Sequence, residues 1–423
     1  MLDIKFIRQN PKILEKTLKA RNCKFDLKGF LALDVNYRNA LGDIEQLRAS
    51  QNKINQELQV ILKDKKDPAP KISESKQIKE KLESLKADFS NIEKSWRDQL
   101  LRIPNINHES LPVGGAPQNQ VLRQSSELKR FDFKPKDHIV LAEKLDIIDF
   151  KRSVKLSGSN FILLKGKGAQ LERALINFML DLHTREHGYR EIFPPVLVNP
   201  ASMEATGQLP NLKEDMYCLQ QDGLYLIPTA EVPLTNIHRD EVLQEKDLPV
   251  KYAAFTPCFR REAGSYGKDT RGLMRVHEFN KVELVKFVKP QDSYNELEGL
   301  LADACKVLDE LKLPYRTVLL STADISFASA KTYDIELYAP GMDKWLEVSS
   351  CSNFESFQAR RGNIRYKEEA TGKKELVHTL NGSGVALPRL MAALLENYQQ
   401  EDGSILVPDV LRKYMGQVDK IEP

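Results

Sequence analysis

Apolar residues recur at alternating spacings of four and three between residues 28 and 63, which is the heptad pattern of a coiled-coil helix. Gln51 is the one polar interruption. Two prolines in the stretch 63–71 (KDKKDPAPK) end this helix, and a second heptad seam follows. The first seam is Leu33, Tyr37, Ala40, Ile44, Leu47, Ile54, Leu58 and Ile61, and the second is Ile78, Leu82, Leu85, Phe89, Ile92 and Trp96. The pattern predicts two helices, each roughly 45–50 Å long, that fold back as an antiparallel coiled coil after a short helical lead-in over residues 1–27.

Lysines crowd the predicted turn between these two helices. They outnumber the nearby acidic residues and are Lys63, Lys65, Lys66, Lys71, Lys76, Lys79 and Lys81. A basic tip of this kind could follow a phosphate backbone, which would suit a nucleic-acid partner. A dimerisation or spacer hairpin explains the same pattern more simply. The heptads and lysines by themselves leave both interpretations open.

A Pro-, Gly- and Asn-rich stretch over residues 103–120 indicates a linker. After it, helical and strand-like runs follow without the regular alternation of a doubly wound fold, which predicts an α+β domain with an antiparallel sheet flanked by helices. Neither GxxxxGK[ST] nor GxGxxG occurs, so neither P-loop nor Rossmann chemistry is supported. The predicted strands are Leu224–Ile227, Tyr252–Phe259, Val276–Val288, Arg316–Leu320, Tyr333–Tyr338, Trp345–Ser350 and Leu376–Leu380.

Length and composition describe a foldable chain of several domains. With 423 residues, of which 41% are hydrophobic and 29% charged, two or three packed domains are expected. The net charge of +3 means that a nucleic-acid partner would meet local basic patches and not a global positive field. No apolar run approaches the roughly 20 residues of a membrane span, and the first residues lack an apolar signal core. The five cysteines stand singly, without a zinc-type spacing. These features predict a cytoplasmic protein without a membrane partner.

The stretch 255–287 combines two β-type runs with a polar, Gly-rich loop between them. If Ala254–Glu262 is a strand, Arg260 and Glu262 share one face. If Leu273–Val288 is the returning strand, alternate residues share a face as well: Arg275, His277, Phe279, Lys281 and Glu283. An arginine fork fits a phosphate, a ring can sandwich a base and a carboxylate can hold an amine, so the hairpin would suit a nucleotide with an amino compound. A hairpin with a solvated charged face fits the spacing about equally well.

The letters FRREAGSYGKDTRGLMRVHEF within this stretch resemble motif 2 of class II aminoacyl-tRNA synthetases, in the form carried by seryl-tRNA synthetases. The helical hairpin and the IPN and LPVG parts of the linker resemble that family too, although GAPQNQ replaces the acidic residues expected after the linker glycine. Four further segments resemble the family in the same order: Gly188–Pro200 with Pro195 (motif 1, after a helix over Ala169–His187), Leu226–Pro233 (the serine-binding TAE segment), Trp345–Asn353 (the metal- and ATP-binding strand) and His378–Gln399 (motif 3).

The resemblance implies an ATP site with Arg260 and Arg389 as the catalytic pair. Arg260 would contact the α-phosphate and the serine carboxylate, and Arg389 would grip the γ-phosphate from near a helix N-terminus, where free amides favour anions. Glu262 would read the adenine amino group, Phe279 would stack on the adenine, and Arg275 would hold the outer phosphates. The full implied set is Arg260, Arg261, Glu262, Arg275, Val276, Phe279, Glu347, Val348, Ser349, Ser350 and Arg389.

The resemblance also implies sites for serine and for Mg²⁺. The serine pocket would consist of Thr229, Ala230, Glu231, Glu283 and Ser383, with Asn381 supporting it from behind. Carboxylates and a hydroxyl suit the ammonium and hydroxyl of serine, and such a site rejects alanine because its buried polar groups would stay unpaired. The Mg²⁺ ligands would be Glu347 and Ser350. Strict strand alternation puts residues three apart on opposite faces, so this pair requires a bulge or a strand end.

One position departs from the family pattern. Pro388 stands where family members usually have glycine just before the motif 3 arginine. Proline is tolerated in the first turn of a helix, where no intrahelical donor is needed. We therefore predict that the helix starts at about Leu387 and that Arg389 remains usable.

Taken over the whole chain, the resemblance implies a homodimeric serine–tRNA ligase. Its parts would be a tRNA-binding helical hairpin arm (residues 1–102), a linker (103–120) and a class II catalytic domain (121–423). It would form seryl-adenylate from L-serine and ATP and pass the seryl group to tRNA(Ser), with tRNA(Sec) as a second candidate acceptor. The loop Ala263–Leu273, with Lys268 and Arg271, would meet the acceptor end, unless it is an ordinary solvent loop.

Two other functions compete with this interpretation. A paralogue that charges a carrier protein would lack a matching long arm, which the heptads argue against. A coiled-coil interaction protein with an inactive synthetase-like domain is expected to lack Arg260, Glu347 or Arg389, and all three are present.

Overall fold

A computed structural model describes residues 1–263 and 271–422. The chain divides into two compact units. The first consists of residues 2–18 and 23–103, and the second consists of residue 1, residues 19–22 and the chain from residue 104 onward. Within the described ranges, no helix is both long and apolar enough to cross a membrane.

The first unit is the predicted antiparallel coiled coil. The helical lead-in and the two long helices are confirmed as α1 (Ile4–Gln9), α2 (Pro11–Ala20), α3 (Leu27–Lys63) and α4 (Ala69–Leu100). Their antiparallel course is shown at both ends, since Tyr37 of α3 stacks on Trp96 of α4 with ring centroids 4.5 Å apart, while Lys71 Nζ lies 2.8 Å from Glu57 Oε2.

A buried carboxylate lies close to the stacked rings of this seam. Asp34 is 1% exposed, and its oxygens accept hydrogen bonds from Arg8 Nε and Nη2 at 2.8 Å and from Trp96 Nε1 at 2.9 Å. A buried carboxylate without such partners would be strongly unfavourable. The pairing therefore favours one register of the two helices.

The second unit is an α+β structure, as predicted. Its helices are α5 (His138–Lys144), α6 (Phe150–Ser157), α7 (Lys167–Arg185), α8 (Pro200–Thr206), α9 (Glu231–Asn236), α10 (Ser293–Glu310), α11 (Phe357–Gly362), α12 (Leu387–Tyr398) and α13 (Asp409–Arg412). Its strands are β1 (Gln120–Gln124), β2 (Arg190–Glu191), β3 (Leu197–Val198), β4 (Cys218–Leu219), β5 (Leu224–Leu226), β6 (Val242–Gln244), β7 (Val250–Phe259), β8 (Glu278–Val288), β9 (Tyr315–Leu319), β10 (Lys331–Ala339), β11 (Lys344–Asn353), β12 (Arg365–Lys367), β13 (Lys374–Leu376), β14 (His378–Ala386), β15 (Ile405–Leu406) and β16 (Lys420–Ile421).

The main sheet has eight strands in the order β1-β9-β10-β11-β14-β8-β7-β2. Neighbouring strands are antiparallel except β7 and β2, which run parallel. Helices α10 and α12 pack against the central strands. Because helices cover the sheet, β8 is buried at consecutive positions from Lys281 to Val288 and does not alternate.

The two strands of the central hairpin stop short of the polar loop between them. Strands β7 and β8 pair antiparallel, with Cys258 opposite Phe279, but β7 ends at Phe259 and β8 begins only at Glu278. The conditional bounds Ala254–Glu262 and Leu273–Val288 were therefore too long, whereas the predicted strand Tyr252–Phe259 ends where β7 ends and Val276–Val288 starts only two residues before β8. The returning chain bonds to other elements before it joins the sheet, since Leu273 N–H donates to His138 Nε2 and His277 N–H donates to the carbonyl of Asn160.

Another predicted strand, Leu376–Leu380, spans two observed ones. Strand β13 ends at Leu376, and β14 begins at His378 and pairs with β8. Strand β13 belongs to a separate three-stranded sheet with β12 and β6. The predicted run is continuous in sequence, and only the different pairing partners divide it into two strands.

Candidate active site

A cavity of about 420 Å³ opens beside the ends of β7, β8, β11 and β14. Most of the predicted site residues line it: Thr229, Glu231, Arg260, Glu262, Arg275, Val276, Phe279, Glu347, Val348, Ser349, Ser350, Ser383 and Arg389. Asn381 and Pro388 line it as well. Residues separated by 160 positions in sequence thus share one cavity.

Three of the predicted residues are not part of the described lining. Ala230 is fully buried at the N-cap of α9, and Glu283 is fully buried below the cavity wall. Arg261 is exposed, and its backbone N–H donates to the carbonyl of Asp215 at 2.9 Å. Ala230 and Glu283 therefore lie behind the surface that lines the cavity.

The hairpin residues that the sequence predicted to bind a nucleotide lie together in the cavity. The Arg260 guanidinium lies 5.1 Å from the centre of the Phe279 ring, and its Nε donates to the carbonyl of Pro228 at 3.2 Å. Arg275 Nη1 donates to Glu262 Oε2 at 2.6 Å. Glu262 has a positive φ of 51°, which turns the chain away from the strand direction after β7. The arrangement offers two arginines, a ring and a carboxylate to one ligand.

Buried charges form the floor of the cavity. Lys281 Nζ lies 2.5 Å from Glu283 Oε2 and donates to Thr229 Oγ1 at 2.9 Å. Asn381 Nδ2 donates to Glu283 Oε1 at 3.0 Å. Burial raises the pKa of Glu283, against the opposing effect of Lys281. Burial, reinforced by the charge of Glu283, raises the pKa of Glu231 to about 7. A cation bound at this floor would therefore shift these carboxyl groups toward their charged form.

An oxygen-rich group lies on β11, where the predicted bulge is present. The register between β10 and β11 shifts so that Ser349 is opposite Ile335 and Glu347 is opposite Glu336, which leaves Val348 as the extra residue. The bulge brings Ser350 Oγ to 3.5 Å from Glu347 Oε1. Ser350 Oγ also donates to Asp334 Oδ1 at 2.5 Å, and burial, reinforced by the charge of Glu347, raises the pKa of Asp334.

Hard oxygen donors of this kind suit Mg²⁺, which usually keeps one or two protein carboxylates and takes its remaining ligands from water and phosphate. Glu347 is half exposed at the cavity, so its carboxylate is accessible to such an ion. Among residues 1–263 and 271–422, no group of three or more His, Cys, Asp or Glu side chains is placed to enclose a metal. The residues present fit an ion that is shared with a bound phosphate.

Helix α12 begins at Leu387, which confirms the predicted start. Pro388 therefore lies in the first turn, where its missing N–H leaves no hydrogen bond broken. Arg389 remains at the cavity: its Nε donates to the carbonyl of Met274 at 3.2 Å and its Nη1 to the carbonyl of Glu347 at 2.8 Å. The same guanidinium lies 3.5 Å from Glu347 Oε2.

The loop expected to meet the tRNA acceptor end is described only at its two ends. Lys268 lies outside the described residues. Ala263 N–H donates to Asp215 Oδ1 at 2.9 Å, and Arg271 is exposed. His277 contacts Phe161 with ring centroids 5.3 Å apart.

The sequence assigned no role to three buried polar residues near the site. Lys281 shares the alternation of Phe279 and Glu283, so its position on that face was available as a signal. Asp334, on β10, and Gln358, on α11, gave no local signal, because only strand pairing and helix packing bring them next to Ser350 and Glu231.

Comparisons with known proteins all point to the same family. A family model described as the seryl-tRNA synthetase N-terminal domain matches residues 1–107, and one described as the tRNA synthetase class II core domain (G, H, P, S and T) matches residues 217–398. A serine–tRNA ligase of Thermodesulfovibrio yellowstonii is 53% identical over 98% of this chain and 99% of its own length. A serine–tRNA ligase of Carboxydothermus hydrogenoformans is also 53% identical, over 100% of this chain and 99% of its own length.

A solved structure supports the same assignment. The seryl-tRNA synthetase from Pyrococcus horikoshii, in a crystal structure complexed with ATP, matches with a TM-score of 0.90 at 37% identity and covers all of both chains. Sequence identity at this level over the full length, together with the matched fold, shows that the chain belongs to the seryl-tRNA synthetase family of class II aminoacyl-tRNA synthetases.

Proposed function

We propose that this chain is a serine–tRNA ligase, which activates L-serine with ATP and transfers it to tRNA. The observation that carries the proposal is the single cavity in which Arg260, Phe279, Glu347 and Arg389 meet the buried Glu231–Lys281 floor. The relatives named serine–tRNA ligase support the activity, and the ATP complex of the similar structure supports ATP as the co-substrate.

In the first step, a carboxylate oxygen of serine attacks the α-phosphorus of ATP, and the bond to the pyrophosphate oxygen breaks. Seryl-adenylate and pyrophosphate are the products. The protein supplies no nucleophile and acts by aligning the reactants and neutralising charge. Arg260 would hold the serine carboxylate against the α-phosphate, while Arg275 and Arg389 would hold the outer phosphates.

The adenine end of ATP has its own partners. The ring of Phe279 would stack on the base, with Arg260 on the same side of the cavity. Glu262 would accept a hydrogen bond from the adenine amino group, while Arg275 keeps that carboxylate in place at 2.6 Å. The neighbouring backbone of Arg261, Val276, Val348 and Ser349 would complete the ATP site.

Glu347 and Ser350 would hold Mg²⁺, which neutralises phosphate charge when it is bound. The bulge at Val348 supports this role, because it puts both side chains on one side of β11. Asp334 accepts the hydrogen of Ser350 Oγ, so a lone pair of that oxygen is left for the ion.

Serine would bind over the buried floor. Thr229 Oγ1 accepts hydrogen bonds from Lys281 Nζ and from Glu231 N–H. Neither bond uses the hydroxyl hydrogen of Thr229. Glu231 would take the serine ammonium, and Glu283 and Ser383 would recognise the serine hydroxyl with the support of Ala230 and Asn381. Alanine would leave these buried groups unpaired, which disfavours it strongly.

In the second step, a terminal ribose hydroxyl of tRNA attacks the carbonyl carbon of seryl-adenylate, and AMP leaves with the electron pair. The helical hairpin of residues 1–102 would bind the tRNA, the catalytic domain would extend from residue 121, and residues 103–120 would link them. We propose tRNA(Ser) as the acceptor, with tRNA(Sec) as a second one, and a homodimer as the assembly. Cysteines that stand singly along the sequence, without paired spacing, suit the cytoplasm as its location.

The test is amino-acid-dependent exchange of pyrophosphate into ATP with serine, threonine, alanine and glycine. We expect exchange with serine alone. Exchange with another amino acid would refute the serine pocket while the ATP site would stand. Absence of exchange with all four would refute the proposed activity, and Pro388→Gly would then show whether the proline is responsible.

A further inference from the structure

The side-chain amide of Gln358 is enclosed by four elements of the second unit. Gln358 lies on α11 and is 1% exposed. Its Nε2 donates to Glu231 Oε1 on α9 at 2.5 Å and to the carbonyl of Thr206 on α8 at 3.2 Å. Its Oε1 accepts a hydrogen bond from Thr379 Oγ1 on β14 at 2.7 Å. Every polar atom of the amide thus has a buried partner.

These partners permit only one orientation of the amide. A backbone carbonyl only accepts hydrogen bonds, so the NH₂ group must face Thr206. The oxygen must then face Thr379, whose hydroxyl donates. Because both NH₂ hydrogens are used by acceptors, Gln358 always presents a donor to Glu231.

Glu231 is held at one of its two oxygens as a result. The residue is 7% exposed and lines the cavity, with the charged groups Glu283, Lys281 and Arg260 around it. Gln358 occupies Oε1, so Oε2 is the oxygen available to a ligand in the cavity. A carboxylate whose rotation is fixed in this way meets an ammonium or hydroxyl without a further loss of side-chain entropy.

We infer that Gln358 is a positioning residue for serine recognition, which fixes the Glu231 carboxylate through an amide whose orientation Thr206 and Thr379 determine. The inference rests on the proposed function, and it assigns a specificity role to a residue that does not itself line the cavity. It concerns the affinity for serine and leaves ATP binding unchanged.

The charge state of Glu231 should depend on the same contact. Burial is the largest influence on the pKa of Glu231 and raises it, followed by the charge of Glu283, while the hydrogen bond from Gln358 lowers it. Removing that donor would raise the pKa further. A larger fraction of Glu231 would then be protonated at neutral pH, and this fraction would fall again as the pH rises.

The test uses pyrophosphate exchange with the full-length protein and three variants. Gln358→Met removes the donor at nearly constant volume. Thr379→Val removes the hydroxyl that orients the amide, and Thr379→Ser is its matched control because it keeps the hydroxyl. KM for serine, KM for ATP and kcat are measured from pH 6.5 to pH 8.5, and the circular dichroism spectrum checks folding.

We expect Gln358→Met to raise KM for serine about tenfold to hundredfold, the effect of losing one hydrogen bond to a charged group. KM for ATP should stay within about twofold, and the ratio of the variant's serine KM to that of the wild type should shrink as the pH rises. Thr379→Val should raise KM for serine less, and Thr379→Ser should match the wild type.

An unchanged KM for serine in folded Gln358→Met would overturn the inference, and so would a rise that is equal for serine and ATP or independent of pH. If Gln358→Met does not fold, the Thr379 pair decides, because equal KM values for serine in Thr379→Val and Thr379→Ser would also overturn it. Failure of the wild type to exchange with serine would refute the proposed function instead.

Discussion

Lys281 is the cation on which the buried floor of the cavity depends, and Lys281→Met tests this directly. The side chains of Lys281 and Glu283 are 7% and 0% exposed, and their charged atoms lie 2.5 Å apart. Removing one partner of a buried pair typically costs about 3–5 kcal/mol of stability, because the other charge stays buried. Glu283 keeps its hydrogen bond from Asn381 and can take up a proton, so we expect the lower end, about 3 kcal/mol at pH 8.

The loss should also depend on pH in a known direction. Burial already raises the pKa of Glu283 in the folded protein, and loss of Lys281 would raise it further. A carboxyl whose folded-state pKa exceeds its unfolded value binds its proton more tightly when folded, so stability falls as the pH rises through this range. The destabilisation by Lys281→Met should therefore be smaller at pH 5 than at pH 8.

A double-mutant cycle with Glu283→Gln isolates the interaction. The double variant carries no charge at either position, and we expect it to be more stable than the sum of the two single changes by about 2 kcal/mol or more. The chain contains two tryptophans, so a Trp96→Phe background leaves Trp345 on β11 to report guanidinium unfolding of the second unit. A loss below about 1 kcal/mol for Lys281→Met, no coupling in the cycle, or a loss that is independent of pH would refute the reasoning.

Three further outcomes are expected. Because the pKa of Glu231 is raised to about 7, chiefly by burial, serine binding at pH 7 should release protons; calorimetry in buffers of different ionisation enthalpy measures this, and Glu231→Gln should abolish it. Pro388→Gly should change the exchange rate less than about threefold, since proline in a first turn breaks no hydrogen bond, and should lower the melting temperature slightly through added unfolded-state entropy. Asp34→Leu should lower the stability of the coiled coil by about 2–4 kcal/mol, because Arg8 and Trp96 lose their buried acceptor. Thermal unfolding followed by circular dichroism measures this loss. An unchanged melting curve would show that the seam does not depend on the Asp34 carboxylate.

Local pattern in the sequence was sufficient for the elements that depend on near neighbours. The heptads predicted α3 and α4 because a helix brings residues three and four apart onto one face, whatever packs against it. The strand runs of the second unit were predicted largely in place, as in Arg316–Leu320 against β9 at Tyr315–Leu319. The start of α12 followed from Pro388, since proline restricts where a helix can begin.

The prediction of the site used both the strand pattern and the resemblance to the family. Alternation along β8 placed Phe279 beside Lys281, and both residues line the cavity. Arg260 and Glu262 line it too, but not through strand alternation, because β7 ends at Phe259. The requirement for a bulge between Glu347 and Ser350 followed from the two-residue period of a strand, but its position at Val348 depends on the register with β10. Pattern alone gave no reason to pair these two residues.

Tertiary structure alone decided which buried groups face one another. Glu283 is enclosed below the cavity because Lys281 and Asn381, on adjacent strands, close over it. Gln358 reaches Glu231 only because α8, α9, α11 and β14 converge on one amide. The contacts of Gln358 with Thr206 and Glu231 join residues 152 and 127 positions apart and satisfy hydrogen-bond requirements that arise only on burial, so no local pattern in the sequence records them.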